Sequence, residues 1–335
     1  MAKAHYLFPQ DYMADPAGNV FNGKFYIYPS HDVETDHAFD DDGGHFQMRD
    51  YHVFRIDGDP MEVEATDLGM ILDQDQVPWV ENQMWDNDVV EKDGKYYLIF
   101  SAKDHGGVFH LGVAVADSPE GPFTPQPSPI RGSFSIDPCA FKDDDGQVYV
   151  YFGGLWGGQL QWYKAPEEYT KEGVELGNAP GKQALLYTRP DAPALPSSVV
   201  RMTDDVLQFA EAPHDVIILG KDGKPLRASD PYRFFEASWM HKYNGKYYFS
   251  YSTGDSHYLC YAVGDNPYGP FTFGGVILEP VVGWTTHHSI VEYQGKWYLL
   301  HHDCVPSNDT TWLRSLKIMP LEYDAEGNII PMKSE

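Results

Sequence analysis

Positive charge is scarce in this chain. Its 335 residues carry 24 Lys and Arg against 50 Asp and Glu, a formal net charge of −26. That surplus argues against a nucleic-acid partner, because phosphate recognition needs cations, and against docking on anionic lipid. Cysteine is rare too. Cys139, Cys260 and Cys304 form an odd set without metal-ligand spacing, and each lies in or beside an apolar strand pattern, where a thiol packs as a small hydrophobe. No run of about 18 uncharged apolar residues occurs, so no membrane-spanning helix is expected. The opening MAKAHYLFPQDYMADP lacks the apolar stretch of a secretory signal, and the expectation is a cytoplasmic protein. Helical periodicity is weak throughout. Its best short candidate is VRMTDDVLQFAEAP at 200–213.

What the chain has instead is aromatic residues, 15% of the total, arranged in a repeated phrase. A few apolar residues, a turn reading N/D/Q-G-K or D-G-Q, and an aromatic strand recur five times: VFNGKFYIYPS (20–30), VVEKDGKYYLIFS (89–101), AFKDDDGQVYVYF (140–152), HKYNGKYYFSYS (241–252) and VEYQGKWYLLHH (291–302). Each copy is a hairpin signal, since Asn-Gly and Asp-Gly supply the positive φ that tight hairpins need. Further strand pairs fall between them. FHLGVAVADSPEGPFTP (109–125) and YLCYAVGDNPYGPFTFGG (258–275) share one pattern, while YHVFRIDG (51–58), LQWYKAP (160–166) and LRSLKIMPLEYDAEGNII (313–330) are looser candidates for the same place. Five copies of two hairpins predict an all-β fold, a five-bladed β-propeller with four-stranded antiparallel blades, as one domain over 1–335. Two long insertions interrupt the repeat, 31–50 and the Pro-rich 164–230, and such connections usually form functional rims or lids.

The turn glycines Gly23, Gly94, Gly146, Gly245 and Gly295 give each copy a phase. Eight or nine residues upstream stand Asp15, Trp85, Asp137, Glu236 and His287. The innermost strand of a propeller blade runs along the central channel, so these positions are expected to converge at one end of the axis. Taken singly, each has a plainer explanation. An Asp before Pro is a common turn cap, Trp85 could be core, and His287 could be a hydrogen-bonded interior histidine. Asp88 is expected to cap the start of its strand and His288 to pack along its own. Taken in phase, Asp15, Asp137 and Glu236 surround one cavity. Two carboxyls facing across a cavity suit glycosidic bond cleavage, one donating a proton to the leaving oxygen and the other activating water. Glu236, after Phe234 and Phe235, has the most apolar setting and is assigned as general acid. Asp15 is the candidate base, and Asp137 the carboxylate that orients the acid and raises its pKa. Arg314, a lone cation in T-W-L-R-S-L, needs a carboxylate partner. It either braces the acids or binds sugar hydroxyls.

These residues resemble glycoside hydrolase family 43, inverting enzymes on a five-bladed propeller that act on xylan and arabinan fragments. The likeness runs from YMADPAGNVFNGKFYIYPSHD through SIDPCAFKDDDGQVYVYFGG and FFEASWMHKYNGKYYFSYS to HHSIVEYQGKWYLLHH. It implies Asp15 as base, Asp137 as orienter and Glu236 as acid, with Trp85 lining the innermost subsite and Arg314 contacting the sugar there. It also implies that His287 helps to hold a hydrated calcium ion on the axis, with no organic cofactor. Within the family, the β-xylosidases with arabinofuranosidase side activity look most similar. Two departures stand out. W-D-N-D (85–88) replaces the W-A-P-D of many relatives and places an extra Asp86 near the pocket rim. The chain also has no room for the C-terminal β-sandwich that closes the pocket in many of them, leaving closure to its insertions or to a neighbouring subunit in a homo-oligomer. The expected activity is release of terminal β-1,4-linked xylose from xylo-oligosaccharides. α-L-Arabinofuranosidase activity is the near alternative; a non-catalytic carbohydrate-binding propeller and a calcium-dependent phosphatase are the distant ones.

Overall fold

A computed structural model describes residues 3–40, 42–164, 191–254, 256–284 and 286–334. The fold is a five-bladed β-propeller, and the repeat supplies its inner two strands in every blade. Blade one is Met13–Phe21, Lys24–His31, Asp50–Ile56 and Thr66–Asp73. Blade two is Asn87–Lys92, Lys95–Asp104, Phe109–Ala116 and Thr124–Pro125, with Val80–Asn82 as a fifth strand beside Lys95–Asp104. Blade three is Cys139–Lys142, Val148–Phe152, Ser198–Arg201 and His214–Asp215. Blade four is Phe234–Tyr243, Lys246–Thr253, Leu259–Gly264 and Phe271–Leu278, with Ile218–Leu219 added parallel at its outer edge. Two blades therefore exceed the four strands expected.

Blade five is His288–Tyr293, Lys296–Asp303 and Ser315–Leu321, and its outermost strand comes from the other end of the chain. His5 and Tyr6 pair antiparallel with Ile318 and Lys317. The ring is thus closed by hydrogen bonds between the two ends of the sequence, a feature the repeat did not reveal because only two residues make it.

Four of the five register turns have consecutive positive φ angles, at Asn22–Gly23, Asp93–Gly94, Asn244–Gly245 and Gln294–Gly295. This backbone matches the twist of two-residue hairpins. The third turn is longer, closed by Asp143 N–H to the Gln147 carbonyl and Gly146 N–H to the Asp143 carbonyl.

The inner strands pack one against the next around the axis, blade one touching both blade two and blade five. Gly18 shows how close this approach is: a Cβ there would lie 2.8 Å from Val291. Buried apolar and aromatic residues, among them Tyr28, Tyr51, Phe100, Tyr151, Phe249 and Tyr261, fill the wedges between blades.

Two expectations need correction. Residues 200–213 are not helical. Ser198–Arg201 is a strand, and Met202 bridges back to Phe209 around a turn in which Val206 N–H bonds the Thr203 carbonyl. The apparent period came from two short chain passes folded on each other. The described part of LQWYKAP, residues 160–164, is likewise not a strand; Gln161–Lys164 forms one helical turn, and Ser198–Arg201 takes the third place of the blade. Within the 164–230 insertion, residues 165–190 lie outside the described residues.

Candidate active site

The phased residues meet. Asp15, Asp137, Glu236 and His287 gather where the five inner strands begin, and backbone irregularities aim three of them inward. In blade one the pairing register shifts between Ala14 and Ala17, so Asp15 and Pro16 form a bulge. Proline has no N–H to lose from a ladder, which makes it a natural bulge residue. In blade four the register shifts on both sides of Glu236. Asp15, Asp137 and Ala237 all sit at positive φ (49°, 58° and 59°), a conformation that costs energy in non-glycine residues and clusters at functional sites.

His287 is the hub. Its Nδ1 is hydrogen bonded to Asp86 Oδ2 and lies 3.4 Å from Asp15 Oδ1. Its Nε2 lies 3.3 Å from Glu236 Oε1 and 4.0 Å from Asp137 Oδ2. Burial opposes charge on this imidazole, but Asp86, Asp137 and Asp15 together hold it protonated well above the usual histidine range. One buried cation is thus shared among four carboxyls.

Asp15 is engaged on one oxygen only. Its Oδ1 accepts from Arg314 Nη1 at 2.7 Å, while its buried Oδ2 has no hydrogen-bond partner. Burial pushes its pKa up to about 7 against the pull of Arg314. The Asp15 backbone N–H donates to His302 Nδ1 at 3.1 Å, so the His302 proton is on Nε2. Asp137 Oδ2 accepts the N–H of Ala237 at 2.8 Å, which fixes the peptide bearing Glu236. Burial, followed by the Asp86 charge, raises the Asp137 pKa well above the carboxylate range.

Arg314 braces the acids, one of the two roles left open by the sequence. Nε and Nη2 donate to the two oxygens of Asp32 at 2.8 and 2.7 Å, its own backbone N–H donates to Asp32 Oδ2 at 2.8 Å, and Nη1 holds Asp15. Trp85 is buried against Phe109, ring centroids 4.7 Å apart, and its indole N–H donates to the Phe46 carbonyl at 2.9 Å. Asp88 caps Val89 N–H as expected, and it also ties three blades through Asn19 Nδ2 and Ala140 N–H, all at 2.8 Å. His288 is buried along its strand and bonded to Ser250.

Asp86 requires a correction. It stands at the hub beneath the pocket, not at the rim, because it occupies the offset of eight residues in the copy whose offset of nine holds Trp85. Burial works to raise its pKa, but the neighbouring His287 charge and hydrogen bond pull it down. Asp32 was missed altogether, being one of several acids in an Asp-rich insertion with no repeat phase.

Above the hub opens a cavity. The 31–50 insertion forms one wall with Phe39, Gly43, Phe46 and Met48, and Trp156, Phe235 and Trp284 form another. Trp156 meets Phe235 edge-on at 5.2 Å and Trp284 at 5.5 Å. Neither tryptophan follows the register glycines, so the phase could not find them. Asp15, Asp86, Glu236 and His287 make the polar floor under this aromatic mouth. A flat-faced, ring-sized recess over opposed carboxyls can hold a sugar and cleave its glycosidic bond.

Comparison with known proteins agrees with this chemistry. The profile of glycosyl hydrolases family 43 matches residues 66–329. The chain is 71% identical to a β-xylosidase of Xylanibacter ruminicola, over 99% of this chain and 100% of that one. It is 57% identical to a xylosidase/arabinosidase of Bacteroides ovatus, over 98% of each chain. Its fold superposes with a TM-score of 0.91, at 49% identity over 99% of each chain, on a family 43 β-xylosidase/α-arabinofuranosidase from a compost microbial metagenome, crystallised with xylotriose in a calcium-free form. By sequence, by propeller and by the carboxyls gathered on its axis, the chain belongs to glycosyl hydrolases family 43 and is a glycoside hydrolase.

Proposed function

We propose that the enzyme removes terminal β-1,4-linked xylose from short xylo-oligosaccharides with inversion, and cleaves α-L-arabinofuranosides as a second activity. The observation that carries this reading is the placing of Asp15 and Glu236 on opposite nitrogens of one imidazole, under a pocket lined by tryptophan. Each carboxyl lies 3.3–3.4 Å from its own nitrogen of that ring; an inverting pair stands about 6.5–9.5 Å apart with water between, in contrast to the ~5 Å of a retaining pair. Names borne by relatives at 57–71% identity support the sugar class.

The contacts support the following roles. Glu236 donates its proton to the glycosidic oxygen as the bond from that oxygen to the anomeric carbon breaks. Water attacks the opposite face and yields its proton to Asp15. The unpartnered Oδ2 of Asp15 is the lone pair available for this, since Arg314 occupies Oδ1. Asp137 acts through the Ala237 N–H and is a positioning residue. Trp85 walls the subsite that receives the terminal sugar.

The axial residues also fit a calcium ion. Calcium takes mostly oxygen ligands, and Asp15, Asp86, Asp137 and Glu236 supply them around His287. Asp137 Oδ1 is buried without a partner, and a small recess is lined by Asp86, Asp137 and His287. With its extra proton given up, His287 would hold the ion together with Asp86 and water, and the ion would supply fixed positive charge in place of the imidazolium and order nearby water. Chelation is expected to lower activity and added calcium to restore it; an enzyme indifferent to both has no use for the ion.

The decisive experiment is a substrate panel with proton NMR of the first sugar released. α-Xylose should appear first from β-xylosides. Release of β-xylose would overturn inversion, and a much larger kcat/KM for nitrophenyl arabinofuranoside than for the xyloside would overturn the substrate order.

A further inference from the structure

Apart from the axial hub, the described residues bring together one other trio of nitrogen and oxygen donors within 4.8 Å: His31, Asp50 and His52. His31 ends the second strand of blade one, Asp50 opens the third, and His52 follows two residues later on the same face. Asp50 lies between the rings, Oδ1 at 2.9 Å from His31 Nδ1 and Oδ2 at 3.3 Å from His52 Nε2. The remaining nitrogen of each ring faces a carboxylate of its own. His31 Nε2 is 3.5 Å from Asp11, and His52 Nδ1 is 3.0 Å from Asp67.

This is the arrangement metal-binding histidines adopt: one nitrogen for the ion, the other N–H given to an outer carboxylate that fixes ring and tautomer. The inner spacing suits it, because metal bonds of about 2.0–2.1 Å in a tetrahedral shell hold neighbouring donor atoms ~3.3 Å apart. We propose that His31, Asp50 and His52 form a second metal site, for a borderline divalent ion such as Zn²⁺, Co²⁺ or Ni²⁺. Two imidazoles and one carboxylate select this class over calcium or magnesium. The side chains are 20%, 14% and 18% exposed, so the ion and a completing water reach the site from solvent.

Its position gives the site a function. His31 and Asp50 flank the segment 32–49, which carries Asp32, the partner of Arg314, and Phe46, the acceptor for the Trp85 indole. An ion bound here clips the two ends of the pocket wall together. The proposal does not depend on which sugar the enzyme cleaves.

The test is titration of the metal-stripped enzyme with Co²⁺, reading visible absorption and stoichiometry. The wild type should take up one equivalent more than the His31→Ala/His52→Ala variant, with a tetrahedral cobalt spectrum that the variant lacks. Asp67→Asn, which leaves the three ligands in place, should weaken that equivalent about 10–100-fold. Equal stoichiometry and equal spectra in wild type and double variant would overturn the site and leave the imidazoles as ion-pair partners. Should the double variant fail to fold, unchanged cobalt affinity in Asp67→Asn would overturn it equally.

Discussion

Asp15 carries opposing influences that can be separated by mutation. Burial raises its pKa to about 7, and the Arg314 guanidinium pulls the other way. A base must be ionised, so kcat/KM should fall as pH drops below about 7, tenfold per unit. Arg314→Gln removes the lowering charge and should move this acidic limb to higher pH, by about one unit or more. A limb that stays in place or moves down would show that Arg314 does not tune the base. At the other carboxyl, Glu236→Gln removes the proton donor, and its cost should depend on the leaving group. Activity on xylobiose should drop about 10²–10⁴-fold, whereas an aryl xyloside whose phenolate leaves unaided should lose far less. Equal losses on both substrates would mean that Glu236 is not the acid. At this scale the sequence was legible wherever the repeat phase reached. Asp15, Asp137, Glu236 and His287 could be found by counting back from a turn, whereas Asp32 has no phase and shows its importance only through Arg314.

The 31–50 insertion was legible as a connection that forms a rim or lid, and it does form one wall of the cavity; which of its residues face the pocket was not legible. Gly43 shows how it is seated. With φ at +70°, its backbone passes so near Trp85 that a Cβ would lie 2.6 Å from the indole. Gly43→Ala therefore has to push Trp85 from the subsite or lift the insertion away. The expected result is KM raised roughly tenfold, about 1.4 kcal/mol of binding, with a smaller change in kcat and a stability loss of about 1 kcal/mol from the strained backbone. An unaltered KM would show that the insertion does not set the Trp85 position. The elements misjudged from sequence, 160–164 and 200–213, share a cause. Both are short, and their form follows from contacts with neighbours, as when Met202 bridges to Phe209.

For the whole molecule, closure of the ring rests on few contacts. Two residue pairs join the N-terminal strand to blade five, supported by Leu7, whose N–H donates to the Leu316 carbonyl at 3.0 Å and whose side chain is fully buried. Leu7→Ala should destabilise the protein by ~2–5 kcal/mol in urea unfolding. The loss should extend to the active site, because Asp15 lies in blade one and His287 precedes blade five. A stability change below about 0.5 kcal/mol would mean that the closure carries no load. The sequence by itself determined the blades, since turn chemistry and aromatic alternation are local and repeat five times. It also determined which side chains start each inner strand. Only the tertiary structure decided what those side chains do: that Asp86 belongs to the hub, that Arg314 is bound to Asp32, and that Trp156 and Trp284 form the mouth. Those outcomes depend on distances between residues far apart in the chain, which become fixed only when the five wedges close around a common axis.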